Sequence, residues 1–427
     1  MMKMTWTLIK NGTLIDGTGA DPIENAAVLI KNNTIQRVGP ENSIKIPKGT
    51  DILDAGGGFI MPGFIDAHIH VMANGFNRED TIYDPLSFYF YRAVENLRLT
   101  LDAGVTSVRD AGLADAGVKM AVEKGIIKGP RLQICVTPLS ITGGHFDFWL
   151  KSGYDVKVTY PGYPDSICDG VEGVRKKVRE VLRAGAEVIK VMVTGGIMSA
   201  NDGPEAAQFT PEELRVVVEE ASFKDNIKVM AHAHGVQGMK NAIDAGVHSI
   251  EHGTYLDDKL TNMMLENGTF LVPTLMANKN IKELALQGKT REWETEAALK
   301  VFDIQKENIK RAYHAGVRIA MGTDCGVVEH GTNLKELALL CEIGMDPMEA
   351  IVAGTKTGAE CMGWDSELGT LEAGKLADIV ISRVDPLLDV EALGDPENIV
   401  VVIKDGEIVK DTLESISKKS FLSFDNI

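Results

Sequence analysis

Two histidines stand one residue apart in PGFIDAHIHVMA (62–73), at His68 and His70. The preceding run is apolar, so the segment reads as a strand, in which side chains two residues apart share a face. A lone strand histidine is ordinarily a hydrogen-bonded core residue, whereas two imidazoles on one face at a strand end suit metal ligation. VMAHAHG (229–235) repeats the pair with His232 and His234, HSIEHG (248–253) ends an apolar run with His252, and RIAMGTDCG (318–326) ends one with Asp324. Lys190 lies inside the apolar run VIKVMV. A buried lysine is costly unless neutralised or paired, so Lys190 is either half of a buried ion pair or part of the same site. Five strand ends thus send imidazoles, an amine and a carboxylate toward one mouth.

The elements that must carry these residues fall into two kinds. LIKNGTLI (8–15), VLIKNNTI (28–35) and VIKDGEIV (402–409) flank Asn-Gly, Asn-Asn or Asp-Gly with apolar residues, the mark of a tight β-hairpin. GTLEAGKLADIVI (369–381) adds a turn and a strand. Between the ends, LDAGVTSVRDAG (101–112), RAGAEVIKVMVTGG (183–196), DAGVHSIEHG (244–253) and HAGVRIAMGTDCG (314–326) share one theme. A helix ends at Gly104, Gly185, Gly246 or Gly316, and an apolar strand follows. Buried strands alternating with helices indicate parallel βαβ units. Their length suits a (β/α)8 TIM barrel, with its active site at the C-terminal strand ends. A doubly wound sheet is the alternative, but no GxGxxG loop opens a first unit. The expected organisation is an α/β chain. Residues 62–364 form the barrel, and residues 1–61 with 365–427 form a small β-sandwich from both termini.

A chain of 427 residues with 44% hydrophobic and 25% charged residues can bury a substantial core. The net charge of −17 argues against nucleic-acid binding, which needs a basic face. Cys135, Cys168, Cys325, Cys341 and Cys361 are scattered without a CxxC pair, which fits reduced thiols in a cytoplasmic protein. No apolar run reaches the ~20 residues of a membrane span.

The ordered set HxH, Lys, His, His and Asp on successive strand ends resembles the amidohydrolase superfamily, as do PGFIDAHIH, EHG, GTD and GTLEAGKLADIVI. TGGH, KVMVTGG and MAHAHG most resemble its prolidase-like (Xaa-Pro dipeptidase) branch, related to imidazolonepropionase. The resemblance implies a binuclear centre of two divalent ions; imidazole and carboxylate suit zinc, and manganese or cobalt could occupy the same site. His68 and His70 would bind the first ion with Asp324. Lys190, carboxylated by CO2, would bridge both ions, while His232 and His252 would hold the second.

His234 lies one pleat further along than His232, about 6–7 Å up an ideal strand. That places it to touch substrate and stabilise an oxyanion. The resemblance places His145, in ITGGHFDFW, near the substrate's carboxylate. His248 reads as structural, His314 and His330 as surface residues, and Cys325 as having the wrong strand parity for a ligand. The implied reaction is amide hydrolysis through a metal-bridging hydroxide, with Asp324 moving the proton. The expected substrate is a small molecule or dipeptide, Xaa-Pro first, with no nucleic acid or membrane partner and assembly as a homo-oligomer. A cyclic amide or imidazolone hydrolase is an alternative that Lys190 disfavours. An N-acyl amino acid or lactone hydrolase is another, and a non-catalytic scaffold on the same fold is the reading of a different class.

Overall fold

The computed structural model describes residues 5–75, 83–197, 202–290 and 292–413. The ends of the expected terminal domain, residues 1–4 and 414–427, lie outside them. The chain opens with strands β1 (Trp6–Leu14), β2 (Ile23–Lys31), β3 (Thr34–Pro40), β4 (Asp51–Asp54) and β5 (Phe59–Pro62). It closes with β13 (Ile379–Ser382), β14 (Ile399–Lys404) and β15 (Glu407–Asp411). These strands share one eight-stranded sheet, in the order β15-β14-β13-β5-β1-β2-β3 with β4 beside β1. The two ends of the chain therefore do build one β-unit.

Two of the three expected hairpins form, at Asn32–Asn33 between β2 and β3 and at Asp405–Gly406 between β14 and β15. Asn32, Asp405 and Gly406 take the left-handed φ such tight turns require. The Asn11–Gly12 pair does not turn the chain. β1 runs straight through it, and the register with β2 shifts between Ile9 and Gly12, with Asn11 at φ 58°. It is a β-bulge, the other use of a left-handed residue beside glycine. A Cβ at Gly12 would lie 2.8 Å from the Gly58 carbonyl, so the kinked strand has room for no side chain there.

Between these ends, strands alternate with helices: β6 (Phe64–Ile69), α1 (Leu86–Asp102), β7 (Val105–Asp110), α2 (Ala116–Glu123), β8 (Arg131–Ile134), α3 (Gly170–Arg183) and β9 (Val188–Met192). Next come α4 (Pro211–Ser222), β10 (Lys228–Ala233), α5 (Val236–Ala245), β11 (Ser249–His252), α6 (Asp258–Asn267), β12 (Phe270–Val272), α7 (Leu275–Leu286) and α8 (Glu292–Ala315). Helices α9 (Lys335–Glu342), α10 (Pro347–Ala353) and α11 (Lys356–Met362) lead back to the terminal sheet. Gly104, Gly185, Gly246 and Gly316 follow their helices with left-handed φ, as expected.

The parallel strands hydrogen-bond in two sets, β6-β7-β8 and β9-β10-β11-β12. Leu139 N donates to Lys190 O (2.8 Å) and Met192 N to Leu139 O (2.9 Å), joining the sets on one side. On the other, segment 318–325 is fastened to both β12 and β6, through Ala320 N to Leu271 O (3.0 Å) and Ala67 N to Met321 O (2.9 Å). Alternation along β9 separates two packing layers. Ile189 and Val191 join the main core with Val174, Val178 and Val181 of α3. Val188 instead packs with Ala111, Cys135 and Met230, and Lys190 shares that second face. Among the described residues no helix is long and apolar enough to cross a membrane, and all five cysteines are free thiols.

Arg131 of β8 ties the central strands to the terminal sheet. It donates to Asp378 (2.8 Å) and Asp405 (2.5 Å), and Asp378 is almost fully buried. Arg131→Met leaves that carboxylate buried without its cation. Chemical denaturation should show a loss of about 3 kcal/mol; a change under about 1 kcal/mol would mean the ion pair does not hold the two units together.

Candidate metal centre

His68, His70, His232 and His252 lie at or just past the C-terminal ends of their strands, Lys190 lies in the middle of β9 and Asp324 lies near the end of segment 318–325, none more than 7% exposed. Ligand-type atoms of His68, His70 and Asp324 fall within 4.8 Å of one another, and so do those of His232, His234 and His252. The two groups adjoin, since the His68 and His252 rings are 5.1 Å apart. Lys190 Nζ sits 3.5 Å from His68 Nε2.

The partners behind the rings decide what faces inward. His68 Nδ1 lies 2.6 Å from Glu251 Oε2, His70 Nδ1 lies 3.2 Å from the Gly112 carbonyl, and His232 Nε2 lies 3.3 Å from the Gly195 carbonyl. Carbonyls and carboxylates only accept, so each of these ring nitrogens carries the proton and donates it. Burial works against a charged Glu251, but Arg109 and His68 hold its carboxyl down to about 2. The opposite nitrogens, His68 Nε2, His70 Nε2 and His232 Nδ1, are therefore left as lone pairs. Asp324 Oδ1 sits 3.6 Å from His68 Nε2 and 3.2 Å from His70 Nε2, yet receives no hydrogen bond. Burial opposes its ionisation, and only positive charge on the facing imidazoles, or a metal cation in its place, would hold the carboxyl down.

A buried anionic oxygen facing two lone pairs is unfavourable unless a cation lies between them. This donor set of imidazole and carboxylate fits divalent metal. Lys190 is pushed down to about 8 by burial, against the pull of Glu251 and Asp324. Among the described residues it makes no direct ion pair to a carboxylate, so the alternative of a simple buried salt bridge is not what the geometry shows.

Alternation explains His68 and His70 but not His252. Glu251 and His252 are consecutive, yet both approach His68, because His252 adopts φ 69° and turns its side chain back inward. Asp324 is re-aimed in the same way at φ 59°. His232 and His234 also stand closer together than the ~6–7 Å of an ideal strand. β10 ends at Ala233, His234 N leaves the ladder to donate to Thr194 Oγ1 (3.0 Å), and the two rings come to 4.7 Å.

His145 reaches the site, stacked on His232 at 4.4 Å. A Cβ at Gly196 would lie 1.9 Å from its ring, so the second glycine of TGG makes space for that stack. His248 packs on Phe270 away from the cluster, and His314 is exposed, as expected. His330 is not a surface residue. It is 8% exposed and its Nε2 donates to Ala73 O (2.9 Å), holding the loop that follows His70. Cys325 is buried, its Sγ 3.5 Å from Glu329 O, outside both clusters.

Other supporting residues carry no sequence signal of their own. Asp66 accepts from Thr323 Oγ1 (2.6 Å) and Asn333 Nδ2 (2.7 Å), locking the segment that bears Asp324. Asp110 accepts from Val71 N (2.8 Å), Gly112 N (3.0 Å) and Ala114 N (3.2 Å). Thr254 and Thr274 hydroxyls lie 2.7 Å from His234 Nδ1 and His252 Nδ1.

A family model described as Amidohydrolase family matches residues 59–409. The chain belongs to the amidohydrolase family. An ochratoxinase of Aspergillus niger is 35% identical to it, over 95% of this chain and 86% of that protein. A crystal structure of a Xaa-Pro dipeptidase with bound methionine in the active site superposes with a TM-score of 0.88 at 33% identity, covering 95% of this chain and 100% of that one. An imidazolonepropionase of Geobacillus kaustophilus is 25% identical over 91% of this chain and 90% of its own length. The resemblance carried by HxH, EHG and GTD is thus borne out at the level of the family, and this amidohydrolase is a hydrolytic enzyme.

Two adjoining donor clusters predict about two divalent ions per chain in the purified protein. Elemental analysis should show His70→Asn and His252→Asn each losing about one of them. Full metal content in both variants would remove the clusters from consideration as metal sites.

Proposed function

We propose that this amidohydrolase is a metal-dependent dipeptidase, with Xaa-Pro dipeptides as its first substrate class. In this reading segment 318–325 supplies the eighth strand of a closed (β/α)8 barrel spanning residues 62–364. Residues 1–61 and 365–427 form its β-sandwich companion. One observation carries the chemistry: the inward lone pairs of His68 and His70 converge on a buried Asp324 oxygen that receives no hydrogen bond, with the His232 and His252 group adjoining. His68, His70 and Asp324 would hold one ion, and His232 with His252 the other. Lys190 would bridge them once its amine is carboxylated, which turns a poorly solvated cation into an anionic ligand with two oxygens. Ions bound there supply Lewis acidity to activate water and polarise the scissile carbonyl.

The protein's own groups do the rest. Asp324 accepts a proton from the attacking water and returns it to the departing amine nitrogen. His234, beside the second cluster and backed by Thr254, donates to the oxygen that becomes negative in the transition state. His145, on the outer side of His232, faces the substrate's carboxylate. The dipeptide reading is supported by the Xaa-Pro dipeptidase with which the chain superposes along nearly its whole length. The similarity to an ochratoxinase favours a second reading, an amide other than a dipeptide. Imidazolone hydrolysis is disfavoured by Lys190, the residue that this reading uses to bridge two ions.

Hydrolysis of a dipeptide panel including Xaa-Pro, run beside N-acyl amino acids and imidazolones, tests the substrate class. Release of free proline or another C-terminal residue is expected, and turnover confined to N-acyl amino acids or imidazolones would overturn the dipeptidase reading. Within the site, His234→Asn should keep its metal and lose about 10²–10³-fold in kcat, with KM less affected. Unchanged kcat would make His234 a bystander, and a lost ion would make it a ligand.

A further inference from the structure

Behind the first cluster, the His68–Glu251 contact belongs to a larger buried polar circuit. Arg109 of β7 donates from Nε to the Ala67 carbonyl (2.7 Å) and from Nη2 to Glu251 Oε1 (3.1 Å). The same Nη2 lies 3.3 Å from Ser249 Oγ, whose hydroxyl donates to Glu251 Oε1 at 2.5 Å. The other oxygen, Oε2, accepts from His68 Nδ1 at 2.6 Å. Arg109, Ser249, Glu251 and Ala67 are wholly buried and His68 is 1% exposed, so water cannot substitute for any member.

We propose that Glu251, oriented by Arg109 and Ser249, is a positioning residue that imposes one tautomer on His68 and so sets the affinity of the first metal. The reasoning runs through donors and acceptors. Both groups at Oε1 donate to it: a guanidinium has no acceptor, and the Ser249 hydroxyl, accepting from Arg109, has one proton to give. Only an acceptor fits at Oε1, and a carboxylate then offers a second acceptor at Oε2. His68 must put its proton on Nδ1, and Nε2 keeps its lone pair for the ion. Groups that hold the far nitrogen of a ligating histidine typically change metal affinity 10–100-fold when replaced. Arg109 adds registry. Its Nε grips the residue next to His68 while its Nη2 grips the carboxylate that orients His68, a two-point reach that the single ammonium of lysine does not reproduce.

Glu251→Gln is the decisive substitution because it preserves shape. The amide oxygen must occupy the Oε1 position to satisfy Arg109 and Ser249, which turns the NH2 toward His68. His68 can then accept only at Nδ1, so its proton moves to Nε2 and the lone pair facing the ion disappears. Nitrogen-15 spectra of histidine-labelled, chelator-stripped protein, assigned with His68→Asn, should show His68 as the Nδ1–H tautomer in the wild type and as Nε2–H in Glu251→Gln. Competition with a chromogenic chelator should show Zn2+ affinity at the first site falling about 10–100-fold while the second site changes little. The proposal fails if the variant keeps the Nδ1–H tautomer, or if affinity stays within about twofold despite a tautomer change. Should Glu251→Gln not fold, the wild-type spectrum decides, and an Nε2–H tautomer overturns the proposal. This inference rests on the metal reading above, but the two are separable. A wild type that binds no Zn2+ refutes that reading, whereas the tautomer is read on metal-free protein.

Discussion

The constraint on which the centre depends is the cost of burying lone pairs against one another. His68 Nε2, His70 Nε2 and Asp324 Oδ1 are all acceptors, all sealed from water, and within 3.6 Å of Asp324. In a low-dielectric interior such an arrangement is unfavourable by several kcal/mol unless a positive charge shares the space. A protein that keeps it must do two things. It must hold each ring from behind so that relaxation cannot relieve the repulsion, and it must anchor the strand ends so that the groups cannot drift apart. Much of the surrounding polar structure serves one of these ends.

The anchoring shows in the backbone. His252 and Asp324 take left-handed φ, as do Val136 and Thr274 at neighbouring strand ends, and such conformations cost of order 1–3 kcal/mol each for residues other than glycine. The turn at His252 is clamped from α8. Gln305, wholly buried, donates to the His252 and Pro273 carbonyls (2.9 and 2.7 Å), and Asn308 donates to the Thr254 carbonyl (2.8 Å). Glu336 of α9 accepts from Leu275 N and Met276 N, both at 2.8 Å, and so closes the start of α7 just beyond Thr274. The strained turns persist because helices outside the strands over-determine them.

How much of this could be read from residues alone depended on whether position implied direction. Glycine caps were legible because a left-handed helix end demands glycine. His68 and His70 were legible because they lie on a regular strand, where alternation fixes the face. His252 and Asp324 were found by their company in EHG and GTD and not by alternation, which fails where φ turns positive. Asn11–Gly12 carried a hairpin signal, but β2 pairs with β1 on both sides of it while β4 pairs before it and β5 after it, and the pair became a bulge. His330 was misread because its loop has no period, and its burial arises from a contact with Ala73, 257 residues away in sequence. Glu251 and Arg109 had no signal of their own. Arg109 adjoins Asp110 and Glu251 adjoins His252, so neither stands apart along its strand, and their meaning lies in a contact across 142 positions.

Charge balance in the same space bears on the state of Lys190. Arg109 and Lys190 bring two positive charges to the buried centre, and Glu251 and Asp324, both held ionised, bring two negative ones. Without metal the four groups cancel. Two divalent ions added to that set would leave a large excess of positive charge in a buried interior, with Lys190 Nζ only 3.5 Å from His68 Nε2. Loss of the lysine proton removes one unit of that excess, and addition of CO2 to the neutral amine removes another while supplying two oxygens. Each ion that enters therefore favours the anionic form of Lys190, and the anionic form favours the ion. If metal binds as proposed, the lysine and the metals would be linked equilibria.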